Sequence, residues 1–545
     1  VLALTNGLPV LSSDAGNIRW QFLPLENLAQ IEIIKGASSV LYGSSALNGI
    51  INFIEAEADT LGKFNYSFTS GIYDRPKNSS WQWWTSPRIY SNASVSYSKK
   101  IGKTSFSSSG NYLFENGYRT LNDETAARIN FSFDREGGKE DEFNYGMKVL
   151  SAYNKKTDFI LWEDAEFGGL KQNVETATEL NALFFTIDPY IKYFRKNVHH
   201  ELKVRTQISD NTYPQNAANN SNANSIFAEY MMNAKVSEKM RIITGITDMY
   251  SLIRSEFYGD HKGNNSAVFL QTELQVLKRI KAIAGVRLEY NILDGNSDEL
   301  IPVFRTGMNY SAGKSTHLRA SFGQGYRYPS IAEKYAYTNL GSVKIFPNTE
   351  IKSERGWSAE SGIKQGLKTG KLIGRFDFAA FFSENKDMIE YVFGLYPDPY
   401  AGNFDFGFQS GNIENARIYG TELLLFFQRD FKQVITRLGG GYTFIHPIEI
   451  SDRAVEDEIT YLKYRRKHTA QLSFHMICNK IELNFITFYK SKVLRIDDVF
   501  LDPLTRENLL PGFYEYWTQN NTYFFLSDLF ISYKHSDRFK FSLGI

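Results

Sequence analysis

Phe64-Asn65-Tyr66-Ser67-Phe68-Thr69 sets an aromatic ring against a small polar side chain at every step. The same beat runs through Phe376, Phe378, Ala380 and Phe382, set against Arg375 and Asp377. It returns in Tyr419, Thr421, Leu423, Leu425 and Phe427, which lie opposite Gly420, Glu422 and Leu424. Successive side chains leave a strand on opposite sides, so a period of two with one apolar face predicts a half-covered β-strand. From about residue 62 onward this pattern dominates, although stretches such as Arg241–Tyr250 alternate poorly.

The connections sort into two kinds. Short polar turns are predicted near 99–103, 134–141, 194–198, 236–239, 277–280, 312–316, 366–370, 429–432, 478–480 and 535–538. Long irregular loops fall between them, including 73–88, 210–224, 326–356, 384–415, 446–465 and 491–522. Short turns at one end and long loops at the other predict an outer-membrane barrel, whereas a soluble sandwich or propeller spaces its connections more evenly. One strand before the first loop and two per turn predict about 21 strands. Bacterial single-chain barrels close with even numbers, and those of roughly 22 strands carry a plugged lumen. The expectation is therefore a 22-stranded antiparallel transmembrane β-barrel, its closing strand lying beyond Ile545. Val1 opens mid-pattern, so the natural N-terminus is expected upstream.

Composition agrees. The 545 residues include 42 Phe, 33 Tyr and 7 Trp, and the mean hydropathy is −0.34. No run is long and apolar enough for a membrane helix, but barrel strands expose only alternate residues to lipid and escape that test. With 61 Lys+Arg against 60 Asp+Glu, charge provides no argument for a nucleic-acid partner. A single cysteine, Cys478, excludes an intrachain disulfide framework and any multi-cysteine metal site.

Residues 1–57 read differently, as a compact α+β piece. A helical turn at Pro24–Leu28 leads into Ile31-Glu32-Ile33-Ile34-Lys35-Gly36; Leu41-Tyr42-Gly43-Ser44 and Asn48-Gly49-Ile50-Ile51-Asn52 follow. This segment resembles the end of the plug domain of TonB-dependent outer-membrane receptors. Leu318–Ser330, containing Gly325-Tyr326-Arg327-Tyr328-Pro329, is similar to the family's barrel motif, where aromatic-Arg-x-Pro opens a long loop. Asn348 to Glu354, Glu360-x-Gly362, Gly420-x-Glu422 and Ala284–Arg287 match in family order. The resemblance implies residues 1–57 as the C-terminal part of a plug inside a barrel of residues 58–545. It implies active import in which a ligand binds outside and an inner-membrane complex pulls on the plug through TonB. The TonB box and the front of the plug are expected upstream of Val1. Outer-membrane lipids surround such a barrel, and a surface lipoprotein is an alternative partner. The resemblance also implies an ionic latch of Lys35 with Glu360 and Glu422. Alternation sends both glutamates inward, and a lone inward carboxylate needs a cation or water. Lys stands where the family usually has Arg, so it cannot hold two carboxylates in fork geometry.

Other sites read more plainly. Gly36–Gly49 lacks Gly-Lys-[Ser/Thr] at phosphate-loop spacing, and Gly323-Gln324-Gly325 opens no helix; these glycines predict tight turns and close backbone approach. His199-His200-Glu201 lacks the spacing that puts two imidazoles on one helix face. No bound metal, cofactor or catalytic constellation is expected. Haem receptors of the family carry a His after the aromatic-Arg-x-Pro motif, but Ile331–Phe346 has none, which disfavours haem. Aromatic clusters beyond the strand ends divide between girdle, loop packing and ligand contact: Trp81, Trp83 and Trp84; Tyr396, Tyr400 and Phe404 within 391–408; Tyr514, Tyr516 and Trp517. The expected ligand is a siderophore, metal chelate or vitamin. A passive porin, an adhesin, or a glycan or peptide importer paired with a lipoprotein are the alternatives.

Overall fold

The structure, a computed structural model, describes residues 1–37, 39–137, 143–340, 343–413, 415–450 and 460–545. Parts of the turn at 134–141 and of the loop at 446–465 lie outside them. Among the described residues the main sheet is a closed barrel of twenty-two members, and every neighbouring wall pair with an assigned register is antiparallel. All but one are wall strands, running from Lys63–Tyr73 to Lys540–Gly544. The exception, Asn296–Ser297, is a two-residue arm on the wall strand Ile280–Leu293. The wall strands thus match the count reached from the turns. The last strand closes against the first, and Phe539 meets Tyr66 edge-on at 6.2 Å.

The faces of the wall are inverted relative to a soluble protein. In Val198–Thr212, Glu201, Arg205, Gln207, Ser209 and Asn211 are buried, while Leu202 points outward and is 41% exposed. Water outside would penalise that apolar face; lipid does not.

Residues 1–55 fill part of the lumen. Strands β1 (Leu2–Thr5), β2 (Leu8–Pro9), β3 (Leu28–Ile34) and β4 (Ile50–Glu55) form a sheet in the order β2-β1-β4-β3, which leaves β3 at its edge. The glycine-punctuated stretch between β3 and β4 folds as a short helix, Ser39–Tyr42, and a 3-10 turn, Ala46–Asn48. Wall glycines admit it closely. A Cβ on Gly323 would lie 2.3 Å from the Ala37 carbonyl oxygen, and one on Gly325 would lie 2.8 Å from Leu47 Cα.

Polar contacts hold this plug. Arg205 donates to both carboxylate oxygens of Asp188 on the neighbouring wall strand. The same guanidinium donates to the plug at Leu8 O (3.2 Å), Pro9 O (2.7 Å) and Thr5 Oγ1 (2.7 Å). Arg128 reaches Gln21 O at 2.6 Å and pairs with Glu26; Lys148 pairs with Glu55. Apolar packing adds a cluster in which Phe22 stacks on wall Phe184 at 5.2 Å. Both members of the Arg205–Asp188 pair are nearly solvent-free, and removing one leaves the other charge uncompensated, at a cost of about 3–5 kcal/mol. Arg205→Ala is expected to leave a membrane-inserted barrel whose plug is cleaved faster by trypsin. An unchanged cleavage rate would show that Arg205 does not seat the plug.

Candidate functional site

The predicted latch residues converge, with a different partnership. Lys35 Nζ, just past the end of β3, pairs with Glu422 on the wall strand Asn415–Phe431. Glu360 lies nearby but takes Arg319: Arg319 Nε donates to Glu360 Oε1 at 2.8 Å and Nη1 to Asp377 Oδ1 at 2.7 Å. The expected Lys35–Glu360 contact is therefore corrected. The cause is register. Ser321 pairs with Glu360 across the ladder, so Arg319, two residues along on the same face, is its diagonal neighbour. A fork-shaped guanidinium suits two carboxylates, whereas the point charge of Lys35 is left with one.

This cluster sits where two cavities between plug and wall meet. One of about 520 Å³ reaches towards the long-loop rim past Trp357 and Leu462. The other, about 320 Å³, continues towards the turn end past Arg319 and Asp377. Lys35, Glu360 and Glu422 line both.

The remaining plug motif shapes the same region. Gly36 has φ +72° and lies against Ser358, whose hydroxyl accepts from Ala37 N at 2.8 Å. Glu32 accepts from Asn52 at 3.2 Å, and Tyr42 packs against the β1–β4 core. Gly43, at φ +78°, faces Arg287. Gly49 O accepts from Leu2 N, and Asn48 lines the larger cavity. In the barrel motif, Tyr326 is fully buried beside plug Val40. Arg327 pairs with Glu333 and Glu354 at 2.8 Å each, and Pro329 precedes Ser330, which caps the loop helix Ile331–Tyr335. Ala332 N of that helix donates to plug Asp14 O at 3.1 Å, joining loop to plug tip.

Most predicted ligand aromatics are used inside the loop layer. Trp81 donates to Ala165 O at 3.1 Å and packs on Tyr516 at 5.5 Å; Trp83 donates to Tyr118 O under Arg88; Trp84 is buried. Tyr396, half-buried, donates to Val392 O and neighbours Phe346. Tyr400 and Phe404 remain exposed, at 78% and 66%. The loops carry their own four-stranded sheet, Thr338–Leu340, Val343–Phe346, Phe404–Asn412 and Ile389–Pro397 in spatial order. Leu161, Val343, Val499 and Leu509 form a core for it. Sequence reading missed this layer and the buried pair Arg205–Asp188. The strict inward alternation of polar residues from Glu201 to Asn211 is the signal that marks Arg205.

Lys35 is about half exposed, so its pairing with Glu422 is weak and screened, about 0.2–1 kcal/mol. A double-mutant cycle on plug release is expected to couple Lys35 to Glu422, with the coupling falling as salt rises. The same cycle for Lys35 and Glu360 should return a value near zero. Equal coupling to both glutamates would restore the three-membered latch.

Comparisons with known proteins agree with this geometry. Residues 56–545 match the family model for the TonB-dependent receptor-like β-barrel, and residues 1–50 match the TonB-dependent receptor plug domain. The vitamin B12 transporter BtuB of Vibrio vulnificus strain CMCP6 is 23% identical over 428 residues, covering 74% of this chain and 62% of that protein. A hemin receptor of Yersinia enterocolitica is 22% identical over 493 residues, covering 78% of this chain and 66% of that protein. This chain thus spans less than two thirds of the length of these curated relatives. The crystal structure of the siderophore receptor PirA from Acinetobacter baumannii superposes over the whole chain and 85% of its own, with a TM-score of 0.74 at 13% identity. The chain belongs to the TonB-dependent receptor family of outer-membrane β-barrels.

Proposed function

We propose that this barrel imports a scarce nutrient, a siderophore, metal chelate or vitamin, by binding it outside and rearranging the plug under TonB. The carrying observation is how the plug is seated. Its contacts to the wall include hydrogen bonds and ion pairs, and the pair at the meeting of the two cavities, Lys35–Glu422, is half exposed. The half-exposed pair exchanges with water at little net cost, so force on the plug can start there without unfolding the wall. A passive porin needs no domain in its lumen. Family members are receptors and transporters, and no catalytic role enters this reading.

Relatives named for vitamin B12, hemin and siderophores support a ligand of this kind. The absence of His from Ile331–Phe346 weighs against haem. TonB is the proposed energy-coupling partner. A surface lipoprotein would be an additional one, for which the exposed rings of Tyr400 and Phe404 are candidate contacts.

Uptake by cells carrying the full-length protein is expected to stop when a protonophore collapses the inner-membrane gradient, while surface binding persists. Uptake that continues would identify a passive pore. Deleting the hairpin 389–412 is expected to weaken ligand binding at least several-fold with barrel insertion intact. Unchanged binding would assign its aromatics to loop packing alone.

A further inference from the structure

Two hydrogen bonds join the plug to the end of the wall strand Thr316–Arg327, away from both the latch and the plug tip. Ser45 N donates to Tyr326 O at 3.2 Å, and Tyr328 N donates to Ser44 Oγ at 3.3 Å. One donor belongs to the plug and the other to the wall, so the two short segments clip each other. Packing closes around them. The fully buried Tyr326 ring lies with plug Val40 and with Ile301 and Val303 of the neighbouring wall strand. Gly43, just before the clip, rests on the buried pair Arg287–Glu289, where a Cβ would lie 2.8 Å from Arg287 Nη2.

The plug half of the clip is strained. Ser45 has φ +71°, in the left-handed region that serine rarely adopts. Its side chain makes no capping bond to the 3-10 turn Ala46–Asn48 that follows, and its N–H goes to Tyr326. Residues in such conformations persist only where their surroundings hold them, and they gather at segments that switch.

The wall half of the clip also anchors a long loop. Arg327, between the two clip residues, pairs with Glu354 and Glu333. Glu333 accepts from Ser330 N at 2.7 Å and so completes the cap of the loop helix Ile331–Tyr335. Along one short run of chain, Tyr326 and Tyr328 hold the plug while Arg327 and Ser330 hold the loop. A twist that carries Arg327 with the loop draws the Tyr326 carbonyl away from Ser45. On the plug side, the clipped segment lies in the connection between β3 and β4, which begins at the latch residue Lys35.

We propose that Ser44–Ser45 and Tyr326–Tyr328 form a strained clip coupling the long loop to the β3–β4 connection, so that displacing the loop loosens the segment that carries Lys35. Tyr326 is its positioning residue. The clip's use rests on the import reading, in which ligand capture moves the loop, and it is a second link beside the Asp14 contact at the plug tip.

The test is amide hydrogen exchange, read by mass spectrometry on the purified full-length protein in detergent, and it needs no nutrient. Coupling between two sites is reciprocal, so each side is disturbed in turn. Glu333→Ala, whose lost side-chain bonds run to Arg327 and Ser330, is expected to speed exchange in 39–49 tenfold or more. Exchange in 2–9 and 50–55 should stay unchanged. Ser44→Ala is expected to speed exchange in the loop helix, 331–335, several-fold, and it carries the test should Glu333→Ala not fold as a heat-modifiable barrel. A bond with a purely local role would release Tyr328 N and leave the loop helix as it was. Unchanged exchange in 39–49 with the loop freed, an unmoved loop helix in Ser44→Ala, or a rise confined to 10–17 at the plug tip would overturn the proposal. Gradient-dependent uptake together with uncoupled exchange removes the clip and leaves the importer standing. Coupled exchange without gradient-dependent uptake does the reverse.

Discussion

A wide barrel in lipid must be apolar outside and polar within, and that inversion sets the terms on which anything fills its lumen. The plug meets a wall rich in inward charges and amides, so hydrogen bonds and ion pairs form much of its seat, beside apolar patches such as Phe22 on Phe184. Arg205 shows the logic most clearly. One guanidinium answers Asp188 on the wall and three oxygens of the plug. Without the plug, much of its hydrogen-bonding capacity would fall to water.

The contacts are graded by burial, and the grading matters for movement. Arg205–Asp188 and Arg128–Glu26 are nearly closed to solvent, whereas Lys35–Glu422 lies open between two cavities. Buried pairs resist separation strongly, and half-exposed pairs exchange with water readily. The edge strand β3 is therefore the weakly held side of the plug. Two of its apolar side chains, Ile31 and Ile33, are more than half exposed. At the opposite end the plug tip is tied to the loop helix Ile331–Tyr335 through Asp14; in the proposed import cycle this contact would link ligand capture among the loops to displacement of the plug.

Much of this architecture was legible in the sequence because strand alternation and turn placement are local. Phe64–Thr69 announced its two faces, and each of the ten polar turns joins consecutive wall strands, for example Ile101 to Thr104 and Phe431 to Val434. Inward placement of Glu360 and Glu422 followed from the same alternation. Their partners did not, because pairing depends on cross-strand register: Arg319 reaches Glu360 only because Ser321 and Glu360 stand opposite. The loop layer was illegible for a related reason. Leu161, Val343 and Val499 come from three distant loops, and no local period brings them together. Trp81 and Trp84 read as ligand candidates on composition, yet Trp81 is spent on neighbouring loops and Trp84 is buried.

Import as proposed requires the plug to move against the wall during uptake, and a reversible tether tests that directly. Ala37 N lies 2.8 Å from Ser358 Oγ, and the chain's one native cysteine, Cys478, can be replaced by serine. In that background, Ala37→Cys with Ser358→Cys should form a disulfide joining plug to wall. The account predicts that the oxidised protein still binds its nutrient at the surface but does not import it, and that reductant restores uptake. Undiminished uptake with the tether closed would contradict it.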